Sequence, residues 1–131
     1  MTKIIVGTAN FINNYGLNKF RYNESEIKKI LKECNKKGIN TFDVAFSYGF
    51  NKKFLKKVNF KDKKIILKFK LPLHKKKLFL KNIEKKIIDY LDYFKIKKYE
   101  AILLHNSNDL TTVHSDILNS ILNNLLKKKN Y

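Results

Sequence analysis

The stretch Gly38-Ile39-Asn40-Thr41-Phe42-Asp43-Val44-Ala45, followed by Phe46-Ser47-Tyr48-Gly49, sets the reading of the whole chain. Residues 39–45 form a short, β-branched and apolar run that reads as a buried strand, yet it carries an aspartate between Phe42 and Val44. A carboxylate in such surroundings is costly unless another group satisfies it. Just before the run, Ile27, Ile30, Leu31 and Cys34 recur at helical spacing. Asn23 can cap that helix with Glu26 three residues on, and Gly38 stands at its stop.

The same alternation continues outward in both directions. Towards the N-terminus, Lys3-Ile4-Ile5-Val6-Gly7-Thr8-Ala9 reads as a first strand, and residues 10–22 as a loop. Towards the C-terminus, Phe54, Leu55 and Val58 fit a brief helix. Residues 64–71 read as a third strand ended by Pro72. Leu80, Ile83, Ile87, Ile88 and Leu91 mark a helix of three to four turns by their spacing, residues 99–105 a fourth strand, and Ile117, Leu118, Ile121, Leu122 and Leu125 a last helix. The order is β-α-β-α-β-α-β-α. Strands that are near-continuous apolar runs belong to parallel sheets covered by helices, so the fold class is α/β. Four βα units make either half of an eight-stranded barrel or a small doubly wound sheet. The first strand ends in Gly7-Thr8-Ala9-Asn10, with one glycine where a dinucleotide-binding turn needs three, which weakens the second option.

Composition narrows the function. The chain has 131 residues, 44% of them apolar, enough for one domain or a piece of one. The formal net charge of +18 invites a nucleic-acid or membrane reading, but the 29 basic residues include a single arginine, Arg21, and the lysines run from Lys3 to Lys129. Base readout and bidentate phosphate gripping favour the guanidinium fork, so the charge reads as drift towards Lys, Asn and Ile laid over an unrelated fold. No specific nucleic-acid binding and no membrane association are expected. The lone Cys34 falls in a helical pattern and reads as a small buried apolar residue. His74 and His114 lack partners at ligand spacing, and no metal site is expected. The N-terminus lacks the pattern of a signal peptide, and a cytoplasmic protein is expected.

Barrel enzymes keep their catalytic groups at the C-terminal ends of the strands. There this sequence places Asp43 and Tyr48 with strand two, Lys68 in strand three and His105 at the close of strand four. Taken singly, Lys68 reads as the wet face of a strand, Tyr48 as packing and His105 as a loop histidine. Together they satisfy one another: a lysine beside a phenol favours phenolate, an aspartate holds the lysine charged, and a histidine orients a carbonyl. Lys70, two residues on and facing the same way, competes with Lys68 for the assignment.

Val6-Gly7-Thr8-Ala9-Asn10-Phe11 with Asn14-Tyr15-Gly16, then residues 38–45 with Ser47-Tyr48-Gly49, resemble the opening of the aldo-keto reductase family. Ile65-Ile66-Leu67-Lys68 and Ala101-Ile102-Leu103-Leu104-His105 resemble the strands that give that family its lysine and histidine. The resemblance implies half of a (β/α)8 TIM barrel, four parallel βα units forming one partial domain over residues 1–131, truncated before a fifth strand. It implies NADPH-dependent carbonyl reduction, with Tyr48 as general acid, Lys68 and Asp43 as the pair that tunes it, His105 orienting a small carbonyl substrate, and Gly7 and Thr8 at the NADP site. Most of the cofactor clamp belongs to the half that the resemblance does not cover. Activity therefore needs a complementary C-terminal half, and a non-catalytic truncated remnant is the competing reading. The sequence departs from the family pattern at Val44 and Leu67, where threonine is usual, and at Lys52 and Lys56, where glutamate and glycine are expected.

Overall fold

The computed structural model describes residues 4–70, 77–106, 108, 116, 119, 120 and 123, with side chains of its long helix from Asn82 onward. Four strands, β1 (Ile5–Gly7), β2 (Thr41–Ala45), β3 (Lys64–Phe69) and β4 (Ala101–Leu104), form one sheet in the order β1-β2-β3-β4. Every pairing is parallel. Gly7 lies opposite Asp43, Asp43 opposite Ile66, and Lys68 opposite Leu103. Between the strands run α1 (Ala9–Ile12), α2 (Glu24–Lys36), the 3-10 turn Phe46–Tyr48, α3 (Lys52–Lys57) and α4 (Lys77–Phe94). This is the α/β half-barrel order anticipated from the sequence; the last helical pattern falls largely outside the described residues.

One face of the sheet is packed and the other is open. Phe42, Val44, Ile65, Leu67 and Phe69, alternate residues of β2 and β3, join Ile27, Leu31 and Cys34 of α2 and Ile83, Ile87 and Phe94 of α4 in a single buried cluster. Period-two alternation sends their neighbours to the opposite face. There Asp43, Ile66 and Lys68 are half-buried, whereas Ile5 and Leu103 are about half exposed, at 51% and 45%. The described helices thus cover one side of the sheet. Val44 and Leu67 are completely buried on that covered side, which explains why an apolar residue is tolerated where the resemblance predicts threonine: neither position faces Asp43 or Lys68. Lys52 and Lys56 are exposed in α3.

The strands are shorter than the sequence suggests, and the loop after β1 is more ordered. Thr8 leaves the extended conformation and Ala9–Ile12 turns into a short helix. Asn10 secures the segment that follows: its side-chain Nδ2 donates to the carbonyls of Tyr15 and Phe20 at 2.8 and 2.7 Å, and its carbonyl accepts from Tyr22 N–H. The helix α2 forms as its local signals require. Asn23 accepts from Glu26 N–H and Glu26 Oε2 accepts from Asn23 N–H, and Gly38 follows at φ +68°, a left-handed conformation that suits glycine.

Candidate active site

Asp43 faces the open side because β2 buries Phe42 and Val44 on the other. Lys68 faces the same way for the same reason, between Leu67 and Phe69. The parallel register brings them together: Lys68 Nζ donates to Asp43 Oδ2 at 2.7 Å, with about a quarter of each side chain exposed. This contact raises the Lys68 ammonium pKa above its ordinary 10.5, outweighing the opposing effect of burial. Lys68 stays charged at neutral pH. Lys70 is exposed and forms no such pair among the described residues, so the geometry separates the two lysines that the sequence left in competition.

Tyr48 closes the 3-10 turn immediately after β2, and Gly49 ends that turn at φ +79° with its N–H donating to Phe46 carbonyl. Left-handed backbone at this point is what a side chain would strain, and it re-aims the chain as soon as the tyrosine has been delivered. Asn13 Nδ2 donates to the Tyr48 carbonyl at 3.2 Å and pins the turn from the other side. The phenol lies within the electrostatic reach of Lys68 and Asp43. Its net pKa nevertheless rises above 10, because burial is the largest influence and Asp43 and Tyr15 add to it, while Lys68 pulls the other way. Sequence reasoning anticipated the lowering by Lys68; burial of the ring outweighs it, and the hydroxyl is held protonated.

Thr8 is completely buried, and both its N–H and its Oγ1 donate to the Asp43 carbonyl, at 3.2 and 2.7 Å. It clamps the backbone that carries the carboxylate. Asp43 Oδ1 is buried and, among the described residues, has no hydrogen-bond partner. Gly7 ends β1 level with Asp43, and a Cβ placed there would meet no atom within 4 Å. His105 follows β4 at the same end of the sheet, its N–H donating to Phe69 carbonyl at 2.8 Å. Its side chain is exposed and makes no bond to Asp43, Tyr48 or Lys68. Thus Asp43, Tyr48 and Lys68 converge, while His105 shares their end of the sheet without joining them. Neither Asn13 nor the clamp by Thr8 was visible in the sequence, since each acts across 35 residues.

A one-sided parallel βα sheet with a carboxylate, an ammonium and a phenol gathered at the strands' C-terminal ends defines half of a barrel built on enzyme lines. The chain belongs to the aldo/keto reductase family, a family of oxidoreductases: the Aldo/keto reductase family model matches residues 3–127. Two solved structures, each assigned as an aldo-keto reductase from Pseudomonas aeruginosa, are similar to it. One superposes with a TM-score of 0.60 at 16% identity, covering 97% of this chain and 50% of that one. The other gives 0.57 at 16% identity, with 97% and 51% covered. The chain therefore spans about half the length of these solved relatives, and at that identity they speak for the fold. No curated protein matches the sequence. Among the described residues there is no group of His, Cys, Asp and Glu able to hold a metal ion, and no helix long and apolar enough to cross a membrane.

Proposed function

We propose that this chain supplies the acid-bearing half of an NADPH-dependent reductase of small carbonyl compounds and works, in the cytoplasm, together with a complementary C-terminal half-barrel. The observation that carries the reading is the 2.7 Å contact between Lys68 and Asp43, with the half-buried Tyr48 within their electrostatic reach.

NADPH, when bound, supplies the hydride. The open space at Gly7 and Asp43 Oδ1, buried without a hydrogen-bond partner among the described residues, fit a group that carries polar substituents. Gly7 and Thr8 are the residues that would line it. The Thr8 hydroxyl already donates to the Asp43 backbone carbonyl, so its part is to fix the strand end. Tyr48 is the general acid: its hydroxyl is protonated at neutral pH and donates to the carbonyl oxygen as charge develops there. Lys68 stabilises the phenolate left behind, and Asp43 keeps Lys68 charged and in place. His105, exposed at the end of β4, orients the substrate once the site is covered. Holding hydride donor and carbonyl at near-attack distance is the task of the complementary half, and such positioning is worth about 7 kcal/mol or more of the barrier.

The test is loss of NADPH absorbance with a reactive aromatic aldehyde, for the 131-residue chain alone, for its fusion to the C-terminal half of a family member, and for the Tyr48→Phe fusion. The chain alone is expected to be inactive, the fusion active, and the Tyr48→Phe fusion to lose that activity. Turnover by the isolated chain contradicts the need for a second half. Equal turnover by the Tyr48→Phe fusion removes Tyr48 from the chemistry, and a correctly folded but silent fusion favours the non-catalytic remnant.

A further inference from the structure

Beside the Tyr48 turn lies a cavity of about 290 Å³ lined by Phe46, Ser47, Lys70, Asn82, Ile83 and Lys86. Its position follows from two neighbours: Ser47 directly precedes Tyr48, and Lys70 stands two residues beyond Lys68. The Lys86 ammonium is held over the Phe46 ring, 4.8 Å from its centre, and Phe46 is itself packed edge-on against Tyr90 at 4.8 Å. A lysine fixed in this way has already given up part of the freedom that binding would otherwise cost. Among the described residues neither Lys70 nor Lys86 pairs with a carboxylate, although Lys28, Lys36, Lys57, Lys64 and Lys68 all do. Among the described residues the lining contains no acidic one, and Ser47 and Asn82 add neutral donors. Asp89, three residues further along α4, lines a second cavity together with Lys86.

Two ammonium groups without an ion-pair partner among the described residues, set with neutral donors, select an anion, and they do so as point charges without a demand for planar geometry. The volume limits what enters: it is at the lower end of the range for small-ligand sites, suited to a terminal group and short of a whole dinucleotide. We propose that Lys70 and Lys86 form a subsite for an anionic group, a carboxylate or phosphate, carried by the carbonyl substrate, so that the substrate class is a small anionic aldehyde or ketone. The substrate part of this rests on the reductase reading given above; the binding part stands on the cavity alone.

The experiment follows backbone amide shifts of the 15N-labelled 131-residue chain, in salt sufficient to screen scattered lysines, during titration with glycerol 3-phosphate, glycerol or NADPH. The expected result is saturable shifts at Ser47, Lys70, Asn82 and Lys86 with glycerol 3-phosphate, and none with glycerol. They should vanish in Lys70→Gln/Lys86→Gln and persist in Lys52→Gln/Lys53→Gln, with both variants folded by circular dichroism. Shifts spread over many lysines without saturation, or unchanged in Lys70→Gln/Lys86→Gln, overturn the subsite. Shifts produced by NADPH and not by glycerol 3-phosphate assign the anion to the cofactor and overturn the substrate class. None of these readouts involves hydride transfer, so a silent fusion counts against the reductase reading and leaves the subsite result standing.

Discussion

Lys68 is stabilised in its charged form by a carboxylate whose second oxygen has no partner among the described residues, so the two side chains depend on each other. Removing the ammonium in Lys68→Met leaves Asp43 half-buried with neither oxygen paired. Breaking a fully buried pair costs about 3–5 kcal/mol; with a quarter of each side chain exposed, a loss of about 1–3 kcal/mol is expected in chemical denaturation at pH 7. The pH dependence has a definite sign. The folded-state pKa of Lys68 is raised, so its contribution is complete below the unfolded value of 10.5 and disappears as pH rises through the higher native value. The gap in stability between the parent chain and Lys68→Met should therefore be constant from neutral pH to about pH 10 and shrink above it. Taking the difference cancels the other lysines. A gap that widens at alkaline pH would show that Asp43 does not hold the ammonium. What was legible at this scale was the set of residue types; the partition between Lys68 and Lys70 required the register of β2 against β3.

At the scale of elements, legibility follows the range of the forces involved. The helix α2 was readable end to end because its cap, its apolar stripe and its stop are all local, and the capping box at Asn23 and Glu26 is present as expected. Asn23→Ala removes one acceptor for the first-turn N–H groups and should lower stability by about 1 kcal/mol, whereas Asn23→Ser should nearly preserve it. Equal thermal midpoints for the parent chain and Asn23→Ala would show that the box contributes nothing. By contrast, α1 was read as loop, and a helix of four residues has no periodicity to detect. It is held by Asn10 bonding to Tyr15, Phe20 and Tyr22, contacts that no local rule anticipates. The same limit applies to the turn at Tyr48, pinned by Asn13, and to Asp43, clamped by Thr8. The long helix was found from its apolar spacing. Its inner face also does something the spacing does not announce: Tyr90, with its pKa pushed up to about 12 by burial, donates its hydroxyl proton to the Phe50 carbonyl at 2.9 Å and ties α4 to the segment after the turn.

For the whole molecule, the half-barrel leaves two unpaired strand edges, β1 and β4, among the described residues, together with an open face on which Ile5 and Leu103 are exposed. Edges and apolar faces of this kind template association with another chain. The opposing force is charge: a formal +18 on 131 residues makes any two copies repel. The two forces differ in their response to salt. At about 0.01 M ionic strength the screening length is about 30 Å, comparable with the molecule, and repulsion acts over the full distance of approach. At about 1 M it falls to about 3 Å, while burial of apolar surface is undiminished. The isolated chain should accordingly be monomeric by light scattering at low salt and associate as salt is raised. An acidic double substitution such as Ile5→Glu/Leu103→Glu, which places charge directly on the open face, should suppress the high-salt species, whereas the same change at exposed positions of α3 should not. A chain that stays monomeric at high salt would mean that the open face is too small or too polar to drive association. Association unaffected by Ile5→Glu/Leu103→Glu would place the contact elsewhere. Suppression in that variant alone would identify the open face as the surface through which copies of the chain associate.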